Sequence, residues 1–151
     1  MKVLILYATN SGGTFFASEV VKKVLEKNDM LITMVEARAG NEAMIDQHNL
    51  IILGSNTWFV DGEEGQMHSW FFDLQKNIGK TQFPDKQFAI FGLGDKSYFT
   101  FCESVIHLEK LVESWKGRRL VPSLRINRFY AEQEKKTEFI MTWVDQIIAA
   151  L

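Results

Sequence analysis

The chain has 151 residues, 46% of them hydrophobic, which suffices for one domain with a single substantial core, and one domain is expected. A formal charge of −2 and a pI near 5.9 leave no basic excess, so nothing supports a phosphate-tracking nucleic-acid surface. Cys102 is the only cysteine, so internal disulfides and cysteine-rich metal sites are excluded; no apolar run approaches the ~20 residues of a membrane span, and a soluble cytoplasmic protein is expected.

Five strand candidates alternate with helical patterns. The first, Lys2 to Ala8, is almost wholly apolar; Thr9-Asn10-Ser11-Gly12-Gly13-Thr14 follows and opens a helix over Thr14 to Lys27 with Ala17, Val20, Val21, Val24 and Leu25 on one face. Leu31 to Ala37 reads as a second strand, Asn41 to Gln47 as a short helical segment, and Leu50 to Ser55 as a third strand. An irregular loop is expected after Ser55, then a helix over Gln66 to Lys76, a fourth strand at Gln87 to Leu93 and a helix over Phe101 to Trp115. Arg119 to Ile126 completes the strands, and Glu134 to Ala150 the helices. Repeated alternation of this kind predicts an α/β fold, a parallel sheet with helices on both faces. The first, third and fourth strands are apolar throughout, as strands buried on both faces must be, whereas the second and fifth carry polar breaks. The order 2-1-3-4-5 follows. Pro122 and the arginines at 118, 119, 125 and 128 read as edge protection on the fifth strand. Trp115 and Trp143 recur at core positions of their helices.

In that order the connections after strands one, three and four emerge at one end of the sheet, beside the switch point between strands one and three. The first is a small-residue turn into a helix, where unpartnered amides and the helix dipole favour an anion. From Ala8 to Ser18 it holds no Lys or Arg, which suits a permanently held monophosphate better than a triphosphate undergoing transfer. Neither a Gly-Lys-Ser/Thr ending nor the GxGxxG spacing is present. The second loop, Gly54 to Gln66, carries Asn56, Thr57, Trp58 and Phe59 in polar surroundings; the third, Gly92-Leu93-Gly94-Asp95-Lys96-Ser97-Tyr98, again places an aromatic after a flexible turn. Two aromatics beside a phosphate anchor suit a flat aromatic ring on a phosphate chain, each stack adding roughly 1 kcal/mol beyond area burial.

These three loops together resemble those of the short-chain flavodoxins over essentially the full length, and FGLGDKSYFTFC, from Phe91 to Cys102, is also similar to the FMN domains of diflavin reductases. The resemblance implies a flavodoxin-like three-layer sandwich over residues 1–151 and non-covalently bound FMN. It also implies low-potential one-electron shuttling between a reductase and an acceptor enzyme, by a carrier that is not itself an enzyme and is expected to be a monomer. By the same resemblance Thr9, Ser11 and Thr14 would bind phosphate through hydroxyls, with amides from Asn10, Gly12 and Gly13 completing the cradle. Trp58 would cover the inner flavin face and Tyr98 the outer one. Asn56, Thr57, Leu93, Gly94, Asp95, Phe101 and Cys102 complete the expected site, with Asp95 and the backbone near Cys102 at the pyrimidine edge. Long-chain members interrupt the fifth strand with an insertion, and Arg119 to Ile126 shows none. Two departures stand out: Gly13 where the family often has Asn, and Phe59 where many short-chain members have Gly. In the family the peptide after that Gly turns over on one-electron reduction, a turn that Phe59-Val60 should resist if positive φ is needed. Asp61, Glu63, Glu64 and Asp95 gather around the expected flavin, with Lys96 as the nearby opposing charge, and would lower its potential and steer a basic partner.

Other readings stay open on the residues alone. A flavoenzyme on the same fold, a metalloenzyme activator, or a non-redox binding module such as a phospho-receiver would share the architecture. The receiver reading lacks paired acids after the first strand, and Trp58 and Tyr98 oppose open substrate access. His48, His68 and His107 lack ligand-like spacing, and no Ser-His-Asp arrangement or G-x-S-x-G elbow is present. Phe15, Phe16, Phe59 and Phe99 are candidates for either packing or docking.

Overall fold

The computed structural model describes the whole chain, Met1 to Leu151. Strands β1 (Lys2–Ala8), β2 (Leu31–Glu36), β3 (Leu50–Val60), β4 (Glu63–Met67), β5 (Gln87–Gly94), β6 (Arg118–Arg119) and β7 (Leu124–Asn127) form one sheet. Its parallel part runs β2-β1-β3-β5, with β6 and β7 both pairing with β5. That is the expected order 2-1-3-4-5, with the fifth strand delivered in two pieces. The helices are α1 (Gly13–Glu26), α2 (Glu42–Asp46), α3 (Ser69–Ile78), α4 (Ser104–Ser114) and α5 (Gln133–Ala150), and a 3-10 turn spans Ala37–Ala39.

The strands alternate between two cores, which is why they read as continuous apolar runs. Leu4, Leu6, Ile51, Leu53, Phe88 and Ile90 face one way and pack with Phe71, Leu74 and Ile78 of α3 and Val105, Leu108 and Val112 of α4. Val3, Ile5, Leu50, Ile52, Ala89 and Phe91 face the other way, against Ala17, Val21 and Leu25 of α1 and Ile140, Val144 and Ile147 of α5. Trp115 and Trp143 are buried in these cores, as their helical spacing predicts.

Two expectations need correction. The stretch after Ser55 is not an irregular loop: β3 continues to Val60 and folds back as an antiparallel hairpin, pairing Thr57 with Met67, Trp58 with Gln66 and Val60 with Glu63. The turn is Asp61-Gly62, with φ of 50° and 84°; two consecutive positive values give the mirror-image turn whose twist matches the strands. The return strand Glu63-Glu64-Gly65-Gln66 has no apolar alternation, so nothing in its pattern announces a strand. Consequently α3 starts at Ser69 and not at Gln66. The second correction concerns Arg119 to Ile126, which is not one strand. The chain leaves the sheet after Leu120 and rejoins it at Leu124, held in between by Trp143 Nε1 donating to the Pro122 carbonyl at 3.0 Å and Ser123 Oγ donating to Glu109 at 2.7 Å.

Candidate functional site

The carboxyl ends of β1, β3 and β5 open onto a cavity of about 690 Å³, within the range of small-molecule clefts. All the expected site residues line it except Gly12: Thr9, Asn10, Ser11, Gly13, Thr14, Asn56 to Phe59, Leu93 to Asp95, Tyr98, Phe101 and Cys102. Gly12 lies one step back. Its φ of 91° makes the turn into α1, and its N–H donates to Thr9 Oγ1 at 2.9 Å, so that this amide shapes the loop. Beyond it the first amides of α1 have no partner inside the helix.

At the cradle end, Thr14 is 1% exposed and its Oγ1 has no hydrogen-bond partner. A buried hydroxyl left alone costs roughly 1–3 kcal/mol, so its position beside the helix amides marks a place for an acceptor. Tyr130, from the segment after β7, closes this end: its OH donates to the Ser11 carbonyl at 3.0 Å, and a Cβ on Gly13 would sit 3.5 Å from its ring. Sequence reasoning missed Tyr130, although the strand order places its segment at the same end as the three loops.

At the other end the buried Asn56 Oδ1 is also without a partner and lines the cavity. Trp58 and Tyr98 stand 57% and 66% exposed, with indole and phenol free to cover something between them. The hairpin and the outer loop are tied together below them: Thr57 Oγ1 and Ser104 Oγ are 2.8 Å apart, and Gly65 lacks the side chain that would strike Glu103 and Thr100. Opposite Phe59 the hairpin carries a bulge, since Glu64 and Gly65 occupy the space between the Trp58–Gln66 and Val60–Glu63 pairs.

Asp95 is placed differently from a free reader of a ring edge. Its Oδ1 accepts from Ser97 N at 2.8 Å and Ser97 Oγ at 2.7 Å, and its Oδ2 from Arg128 Nε at 3.0 Å. The Ser97 amide, then the Ser97 hydroxyl and Arg128, hold its pKa down at about 2. Arg128 also corrects the expectation that Lys96 is the one nearby opposing charge. Cys102 is fully buried at φ 50°, pressed against Gly94, and burial pushes its thiol up to about 12, which makes it inert packing with a backbone on the cavity wall. The charged residues of the lining are Glu64 and Asp95 alone, both acids.

A phosphate fits the orphaned Thr14 hydroxyl and the helix amides, and a planar polar ring fits the aromatic pair and the orphaned Asn56 carbonyl. The family model described as Flavodoxin matches residues 5–142. "Probable flavodoxin 2" of Bacillus subtilis is 30% identical over 140 residues, covering 92% of this chain and 89% of its own. The crystal structure of oxidised Flavodoxin 2 from Bacillus cereus superposes with a TM-score of 0.79 at 32% identity, over 100% of both chains. A further likeness, 27% over 99 residues, is to NADPH-dependent diflavin oxidoreductase 1 of Arabidopsis thaliana, and it spans 64% of this chain and 16% of that protein. With its cradle, its aromatic pair and a family match across nearly its whole length, the chain belongs to the flavodoxins, FMN-binding electron-transfer proteins that are not enzymes.

Proposed function

We propose that Thr9, Ser11 and Thr14, with the first amides of α1, hold the FMN phosphate in this single flavodoxin-like domain, and that Trp58 and Tyr98 cover the two faces of its ring. Bound there, FMN supplies a one-electron couple. The single observation that carries this assignment is the pair of orphaned buried atoms, Thr14 Oγ1 and Asn56 Oδ1, on the lining of one cavity. Asn56 Oδ1 can only accept, which suits a donor N–H on the ring's polar edge; with the Asp95 carboxylate engaged by Ser97 and Arg128, backbone groups from Gly94 to Cys102 present the remaining contacts.

The same residues set the direction of the couple. The charged residues lining the cavity are Glu64 and Asp95, the latter paired with Arg128, and no Lys or Arg lines it, so added negative charge on a bound ring would be disfavoured there. Two unit charges 4 Å apart cost about 4 kcal/mol at an effective dielectric of 20 and about 1 kcal/mol in water, so the acids lower the potential. Glu64, with Asp61 and Glu63, also gives the hairpin a face that attracts basic partners. Phe59 on the cavity lining is more than half exposed, and Phe16 after the phosphate loop and Phe99 beside Tyr98 are also at least half exposed, which leaves apolar area for contact. We assign the partners as a reductase that donates electrons and an enzyme that accepts them, and the carrier as a cytoplasmic monomer. No helix is long and apolar enough to cross a membrane.

The visible absorption spectrum of the purified protein, with identification of the released cofactor, tests this reading. Flavin bands with FMN near one per chain are expected from a single cavity of this size. A colourless protein that does not take up added FMN would refute it.

A further inference from the structure

His68 is the last residue before α3, at the foot of the hairpin, and is only 7% exposed. Four hydrogen bonds fix it, one of them from Phe71 N to its carbonyl at 2.9 Å. Its backbone N–H donates to Ser55 Oγ at 2.9 Å, its Nδ1 accepts from Trp70 N at 3.1 Å, and its Nε2 lies 2.8 Å from Asn10 Oδ1, across 58 residues of sequence. The Trp70 indole packs against the imidazole with centroids 4.6 Å apart and planes tilted by 58°, and Arg38 lies over the indole at 4.2 Å.

These contacts leave no freedom in the protons. A backbone N–H can only donate, so the Nδ1 facing Trp70 N carries a lone pair. A neutral imidazole then bears its proton on Nε2, which donates to Asn10 and requires oxygen at the near position of that amide. The Asn10 Nδ2, a donor of two hydrogens, is turned away from His68. Asn10 lines the cavity at the cradle end, where the chain offers no cation. We propose that His68 is a positioning residue for the phosphate cradle, its Nε2–H holding the Asn10 amide so that Nδ2 is presented to the phosphate of FMN.

The surroundings keep the ring neutral. Burial lowers the His68 pKa first and Arg38, from the 3-10 turn, lowers it further, against a smaller opposing effect of Asp73 on α3. Ser55 of β3 and Asn10 of the phosphate loop add no charge. Protonation at Nδ1 would set two donors against each other at Trp70 N. The inference rests on the FMN reading, and the variants separate the two roles of the ring. His68→Asn can keep an acceptor near the Nδ1 position for Trp70 N but does not reach Asn10. His68→Gln reaches to the Nε2 position and restores a donor.

The experiment measures FMN dissociation constants and urea midpoints for the apoproteins, with imidazole ¹⁵N shifts for the wild type. The expected shifts show an Nε2–H tautomer with a pKa below the usual 6.5. Freeing one side chain that was previously held corresponds to roughly a 2- to 12-fold loss, the range expected for His68→Asn, with little change in urea midpoint. His68→Gln recovers most of that affinity while losing stability through the missing cap. In an Asn10→Ala background His68→Asn should cause no further loss. A wild type carrying its proton on Nδ1, a His68→Asn that binds FMN as the wild type does, or an equal loss in the Asn10→Ala background overturns the proposal. A wild type that binds no FMN overturns the FMN reading, and this inference with it.

Discussion

Replacing Thr14 by Val tests the cradle in two directions at once. The two side chains have nearly the same shape, and Val keeps the β-branch while removing the hydroxyl. In the apoprotein that hydroxyl is buried, 1% exposed for the residue, and has no partner. Its removal lifts a penalty of roughly 1–3 kcal/mol, so the apoprotein should become more stable. One kcal/mol corresponds to about 2–4 °C in a chain of about this length, and a rise of that order is expected in the thermal midpoint. Binding moves the opposite way. A hydrogen bond to a charged acceptor contributes about 1.5–3 kcal/mol, so the FMN dissociation constant should rise roughly 10- to 150-fold. Fluorescence titration of FMN with apoprotein and a thermal melt of the same preparation give both numbers. A variant that melts lower than the wild type and binds FMN within threefold of it would refute the assignment of Thr14 to the phosphate.

Phe59→Gly frees the peptide facing the Glu64-Gly65 bulge, where the ladder is already interrupted. The separation between the two one-electron midpoint potentials should shift toward stronger first reduction, with ~59 mV for each 1.4 kcal/mol of relieved strain, and spectroelectrochemistry showing no change would rule out a backbone role for Phe59. Cys102 should resist thiol reagents in the native protein at pH 8 and react once it is unfolded. Because its folded pKa, about 12, lies above the unfolded value near 9, its contribution to stability is complete below pH 9 and is lost as pH rises toward 12; urea midpoints of Cys102→Ala should fall less steeply across that interval. Gly54→Ala would place a methyl inside the Phe91 ring and should cost about 1–3 kcal/mol, read as a lower urea midpoint with FMN absent.

The sheet was legible because β1, β3 and β5 are apolar on both faces and so leave only the polar-broken strands for the edges. The cavity was legible too, since in that strand order the small-residue turn and the two aromatic loops emerge at one end of the sheet, where the structure places them around one opening. The hairpin was hidden. Its return strand is polar and partly exposed, so the pairing rests on backbone hydrogen bonds and the Asp61-Gly62 turn, and hydrophobic periodicity is blind to both. Tyr130 and His68 were hidden for a different reason. Each reaches the phosphate loop from a distant part of the chain, through contacts to Ser11 and Asn10 that depend on how loops at one end of the sheet converge. Asp95 was legible as a site residue, but its attachment to Ser97 and Arg128 was not.

The break between β6 and β7 has a consequence for how chain length can change in this family. Between Leu120 and Leu124 the backbone has already withdrawn from the sheet, so extra residues introduced there would disrupt no existing rung. The entropy of closing a loop grows only with the logarithm of its length, each doubling adding about 0.6 kcal/mol. The anchors on either side, Arg119 on Glu109 before the break and the pairing of Leu124 to Asn127 with β5 after it, would hold the sheet margin in register around a longer excursion. The short chain thus already contains the seam at which a longer one can be made, on the opposite margin from the edge strand β2.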